Sequence, residues 1–250
     1  MKNSGIRYHL IDSLRGFAVI NMVAYHCLYD LRYIFSIDIP WFGGYPVYIW
    51  EQLICTAFIL ISGGCFNLGS RRLKHGVIMF FCGCAVTVVT FLVTPGQAIR
   101  FGILSFIGAA MLIMLPLEKL LKGVSRFWGF GVSAVLFAVT KGVPNGFLGF
   151  FDVPVLYLPE QLYSTEFLAF LGFPGADFRS SDYFSIIPWL FLFFAGYYLW
   201  QIIKPELHRR VLCFKVPGLA FAGRNSLLIY IVHQPIIFAA MSLAFKGTVF

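Results

Sequence analysis

The sequence is poor in charge. Lys, Arg, Asp and Glu make up 12% of its 250 residues, about half of what a soluble domain carries. With a mean hydropathy of +0.82, that scarcity excludes a water-soluble globule. A disulfide framework is also lacking. Cys27, Cys55, Cys65, Cys82 and Cys84 lie in apolar stretches and Cys213 in a basic loop. Cys82-Gly-Cys84 has no histidine or carboxylate nearby, so it reads as helix packing, and no metal is expected. There is no internal repeat and no low-complexity tract, so one domain over 1–250 is expected. The first apolar stretch follows Lys2 and Arg7 and has no small-residue cleavage site, which argues against a cleavable signal peptide.

What remains is apolar. Hydrophobic residues are 59% of the chain, in runs of ~20 residues that match a bilayer core. The expected fold class is all-α: a polytopic membrane helix bundle of seven transmembrane helices, near 10–33, 46–68, 76–94, 99–117, 126–141, 185–203 and 219–245. Pro95-Gly96, Pro205 and Pro217-Gly218 break the pattern between spans.

Basic residues orient this arrangement. One side holds Lys2, Arg7, Arg71, Arg72, Lys74, Lys119, Lys122, Arg126, Lys204, Arg209, Arg210 and Lys215. The other holds only Arg32, Arg100, Lys141, Arg179 and Lys246. The richer side should be cytoplasmic, so the N-terminus is expected inside and the C-terminus outside. The location is an integral, multi-pass membrane protein, in the plasma membrane if the cell is bacterial. The net charge of +8 is explained by cytoplasmic loops facing anionic headgroups. Membrane lipids are therefore expected partners, and nucleic acid is not.

Ionisable residues inside the spans are expensive and mark function by default. Arg15 and His26 are eleven residues apart in the first span. Eleven residues return to within ~20° of the same face, about 16 Å along the axis. Asp30 follows His26 by four, on the same side. In the last span Arg224, Asn225 and Ser226 lie near the inner end, and His233 shares the Ser226 face in the outer half. Arg224 joins that face only if the helix starts late or is unwound there. Acyl transfer could use this layout. A histidine near neutrality removes a proton from an attacking hydroxyl or amine, and arginines suit the phosphates of an acyl-CoA. His26, His233 and Asp30 are the catalytic candidates; Arg15, Arg224, Asn225 and Ser226 are the donor-binding ones. Bland readings stand beside these. Arg15 can snorkel to the headgroups, a membrane histidine can serve as a helix–helix hydrogen-bond donor, and Asn225 and Ser226 can satisfy helix-start amides.

The segment 142–184 is the one long stretch outside the spans, expected as an outer loop or re-entrant cap. It combines Asp152, Glu160, Glu166, Asp177 and Asp182 with many aromatics, a mixture that suits sugars and equally suits an interfacial aromatic belt. Asp177 and Asp182, with Trp189 just beyond, are the acceptor-binding candidates.

Several motifs recur in order. They are Asp12-Ser-Leu-Arg-Gly-Phe-Ala18 followed by Met22 and His26, Phe58-Ile-Leu-Ile-Ser-Gly63, Arg100-Phe-Gly-Ile-Leu104, Ile187-Pro-Trp-Leu-Phe with Gly196, and Gly223-Arg-Asn-Ser-Leu with Tyr230-Ile-Val-His-Gln-Pro235. Together they resemble the heparan-alpha-glucosaminide N-acetyltransferase catalytic-domain family, within the transmembrane acyltransferase superfamily. The resemblance implies an acetyl-CoA-dependent enzyme that acylates a hydroxyl or amine of a glycan or glycolipid across the membrane. It also favours His26 as the base. There is one departure. The animal lysosomal member has asparagine at the His26 position and its proposed active histidine in the following loop, whereas residues 27 to 74 here contain no histidine. Histidine-bearing O-acylating members are the better analogy for the base. Two other classes fit buried ionisable groups: a small transporter or flippase, which should show repeated halves, and a non-catalytic membrane subunit. A homodimer is compatible with all three.

Overall fold

The computed structural model describes residues 8–206 and 209–245, and for 204–206, 209 and 210 the backbone alone. Lys2, Arg7 and Lys246, and the side chains of Lys204, Arg209 and Arg210, all used in the charge argument, lie outside the described residues. The helices are α1 His9–Tyr33, α2 Tyr45–Phe66, α3 Arg72–Val93, α4 Ile103–Leu121, α5 Arg126–Thr140, α6 Ile186–Glu206, α7 Arg209–Leu212, α8 Pro217–Arg224 and α9 Ser226–Ala244. A short hairpin, β1 Phe147–Phe150 with β2 Val153–Tyr157, is the one sheet among the described residues. The protein is a polytopic helical membrane protein. Six segments are long and apolar enough to span a bilayer: α2, α3, α4, α5 with its following turn, α6 and α9. The expected first span, α1, is 25 residues long but is more polar, carrying Asp12, Arg15, Asp30 and Arg32. The expected last span is two helices. Asn225, at φ −102° and ψ 15°, interrupts it, and its side chain donates to the Phe221 carbonyl at 2.9 Å instead of letting the helix run on.

The chain clusters into two compact units, residues 1–58 with 207–250, and residues 59–206. In the first, α1 packs on α8 with their backbones touching. A Cβ placed on Gly16 would lie 1.9 Å from the Leu219 carbonyl oxygen, and one on Gly223 would lie 1.7 Å from that of Asp12. Membrane helices lack a hydrophobic force between them, so such close approach through small residues supplies the attraction. Ser13 Oγ donates to the His9 carbonyl at 3.0 Å and accepts the Val216 N–H at 3.3 Å, fixing the start of α8 against α1. Val19, Met22, Ile54 and Ala222 form the buried core of this unit.

The second unit uses the same device. Gly63 and Gly196 join the end of α2 to α6, and Gly83 and Gly108 join α3 to α4. Segment 142–184 is clamped onto the α3–α4 turn. Ser180 Oγ accepts the Arg100 N–H at 2.8 Å, and Asp182 Oδ2 accepts the Ile103 N–H at 3.1 Å at the start of α4. The Arg100 guanidinium lies 4.6 Å above the Phe178 ring and pairs with Glu166. That hydrogen bond holds the exposed Glu166 carboxyl below the usual glutamate range. Burial pushes the phenol of Tyr183, which donates to the Ala169 carbonyl, up to about 12.

Candidate active site

The site is built on α1 and α9, within the first unit. Helical spacing puts His26 and Asp30 one turn apart on α1. Their counterparts, His233 and Gln234, are adjacent on α9. The His26 and His233 rings meet with centroids 4.9 Å apart, tilted by 54°. Asp30 is fully buried. Gln234 Nε2 donates to both of its carboxylate oxygens, at 2.8 and 3.0 Å. Asp30 is thus satisfied by an amide from the opposite helix, not by His26.

The tautomer of His233 follows from its partner. Its Nδ1 lies 2.6 Å from the Tyr230 carbonyl oxygen. A carbonyl only accepts, so Nδ1 carries the hydrogen, and the neutral ring presents Nε2 as a lone pair. That Nε2 is buried without a hydrogen-bond partner among the described residues, and so is Gln234 Oε1. Each of these acceptors is desolvated and unmatched and can take a donor, because an unpaired buried polar atom is costly. A hydroxyl or amine supplies such a donor.

A polar aromatic wall flanks His26. The Tyr25 hydroxyl donates to Glu51 at 2.9 Å, and Trp50 Nε1 donates to Asn21 Oδ1 at 3.1 Å. Tyr25 meets His26 edge-on with centroids 5.8 Å apart, stacks on Tyr29 at 6.4 Å, and Tyr29 in turn meets Tyr33 at 4.8 Å.

The donor-binding candidates gather at the other end of α1. Arg15 lies one turn from Asp12, 3.9 Å between Nη1 and Oδ1. Gly16 and Gly223, which adjoin Arg15 and Arg224 in the sequence, are in backbone contact. The break at Asn225 meets the condition for Arg224 to leave the register of α9. Ser226 opens α9, two turns before His233.

The acceptor-binding candidates lie in the second unit. Asp182 is engaged with the start of α4. Trp189 is buried, with the Lys141 ammonium 3.9 Å above its ring and Phe184 at 4.8 Å. Asp177 is exposed. Sequence reasoning gave no role to Gln234, Glu51 or the Tyr230 carbonyl. Gln234 had a visible signal, a polar amide beside a histidine in an otherwise apolar span. The carbonyl had none.

This fold and site define a helical membrane protein with two histidine rings in contact, His233 buried and His26 partly so. Residues 7–235 match the family model described as heparan-alpha-glucosaminide N-acetyltransferase, catalytic. The match covers nearly the whole chain, and the protein belongs to this family of membrane acetyltransferases. No curated protein and no solved structure matches it.

Proposed function

We propose that the protein transfers an acetyl group from acetyl-CoA to a hydroxyl or amine of a glycan or glycolipid, with the histidine pair as the base. The observation that carries this reading is the bare, buried Nε2 of His233 beside His26. The acceptor donates its hydrogen bond to that nitrogen and attacks the thioester carbonyl. Its proton passes to the imidazole, the C–S bond breaks, and the thiolate leaves and takes the proton up again. The motif resemblance favours His26 as the base. The fixed tautomer favours His233, so we assign proton removal to His233 and place His26 against the reacting groups. Gln234 keeps Asp30 paired. Arg15 and Arg224 have the chemistry to hold the donor's phosphates, from the side of the membrane that the basic loops assign to the cytoplasm.

The test uses purified protein in liposomes with radiolabelled acetyl-CoA and a panel of amine- and hydroxyl-bearing sugars. Label should appear on an acceptor, and in its absence slow hydrolysis should release acetate. A folded protein that binds CoA yet neither transfers nor hydrolyses would overturn the reading. Uptake of an unmodified sugar would favour a transporter.

A further inference from the structure

The hairpin Phe147–Tyr157 has an outer strand that none of the described residues covers. All five residues of β2, Val153 to Tyr157, are exposed, Val155 to 80%. Between Gly146 and Leu158 the chain carries one charge, Asp152 at the turn. A soluble loop of this composition would be an aggregation hazard.

The hairpin does not project beyond the end of α5. It folds back along that helix. The Phe151 N–H at its turn donates to the Ala138 carbonyl at 2.9 Å, and the Phe151 ring meets Phe137 at 6.4 Å. The turn is held in a left-handed conformation at Phe151, φ 53°. Ala138 lies inside the apolar segment Arg126–Asn145, seven residues and about 10 Å from its end. Lys141, three residues and ~4.5 Å further along the same helix, marks where the helix turns polar. The hairpin turn and Asp152 therefore lie beside the last turns of α5.

We propose that this hairpin is a membrane-interface element whose strand β2 rests among phospholipids of the leaflet in which α5 ends. Its apolar strand is exposed, as are Val132, Val135 and Leu136 on α5, the helix against which the hairpin turn packs. Its depth is bounded on both sides. Water would leave Val153, Val155, Leu156 and Tyr157 unburied. Hydrocarbon would leave the unpaired edge of β2 with no hydrogen-bond partner, which a bilayer core does not tolerate. The interface meets both demands, and aromatic residues such as Phe150 and Tyr157 favour that zone. The inference does not depend on the acetyltransferase chemistry.

A photo-reactive amino acid placed at Val155 tests it in phosphatidylcholine–phosphatidylglycerol liposomes, with the same probe at Val135 as a lipid-facing standard and at Glu160 as a water-facing one. Lipid adducts at 155 should approach the yield at 135 and exceed that at 160 several-fold. Equal yields at 155 and 160 would overturn the proposal. So would a crosslinked dimer replacing the lipid adduct at 155, since that would make a second copy of the chain the occupant. Val155 is a surface residue, so its replacement leaves the fold intact; a monodisperse profile identical to the unsubstituted protein verifies this.

Discussion

Replacing His233 by Gln tests the site most directly. Glutamine fills much of the ring's volume and can still hydrogen-bond, but it cannot take a proton. General-base removal contributes about 10²- to 10⁴-fold, equivalent to ~3–5 kcal/mol of barrier. The structure sets where in that range the loss should fall. The His233 side chain is 8% exposed, so bulk water has little access to replace it. His26, with its ring centre 4.9 Å away, is the one imidazole in contact with it among the described residues. If His26 substitutes partly, the loss sits near the lower bound. The double variant His26→Gln/His233→Gln should then lose more than the product of the two single losses, because each single variant keeps the other ring as a substitute base. The assay is single-turnover acetyl transfer with saturating acetyl-CoA, accompanied by CoA affinity from calorimetry. CoA affinity should be unchanged. A folded His233→Gln protein with turnover within a few-fold of the original would refute the assignment of His233, and a severe loss in His26→Gln alone would transfer the role to His26.

Three further outcomes follow from packing and charge. Gln234→Leu strips both hydrogen bonds from the buried Asp30 carboxyl and should cost ~1–3 kcal/mol, read as a lower thermal midpoint. Asp30→Leu/Gln234→Leu should recover much of it, and no change in the single variant would mean that Asp30 is satisfied elsewhere. Gly223→Ala puts a methyl 1.7 Å from the Asp12 carbonyl oxygen, so α1 and α8 must part, costing ~1–3 kcal/mol as overpacking does; an unshifted midpoint would show that this crossing is loose. Glu166, depressed by Arg100, stabilises the 142–184 segment fully above the ordinary glutamate value and loses that contribution as pH falls through its lower folded value. Amide protection in this segment, corrected for the intrinsic exchange rate, should therefore weaken as pH falls below the ordinary glutamate value and should lose that pH response in Arg100→Gln; an unaltered response would assign it to another carboxylate.

Much of the fold was legible because a bilayer imposes its own ruler. Apolar runs and Pro-Gly breaks placed α1, α2, α3, α5 and α6 to within a few residues. Two things were not legible. Asn225 splits the last span through a side-chain bond to the carbonyl four residues back, a choice hydropathy does not see. The hairpin at 147–157 arose from pairing within a segment whose Phe, Val and Pro read equally as interfacial loop. At the site, the pairing of the two histidines was within reach, since both were assigned the same depth. That Asp30 would turn to Gln234 and not to His26 was not, because the amide lies 204 residues further along the chain. Likewise, Asp182 was singled out for its charge in an aromatic loop, while the amide it accepts, at Ile103, is 79 residues earlier.

That 204-residue separation has a consequence in time. α1 is synthesised first, with a carboxyl and an imidazole that will be buried, and their partners arrive on the last helix. At 5–20 residues per second the interval is about 10–40 s. Throughout it, a helix bearing Asp30 and His26 must wait in or beside the membrane with its polar groups unmatched, a state lipid penalises. The nascent protein therefore has a defined window in which the insertion machinery, or water at the membrane surface, must shelter its first helix. On the proposed mechanism, chemistry begins only when the C-terminal helix closes that window, and chains lacking that helix are expected to be inactive.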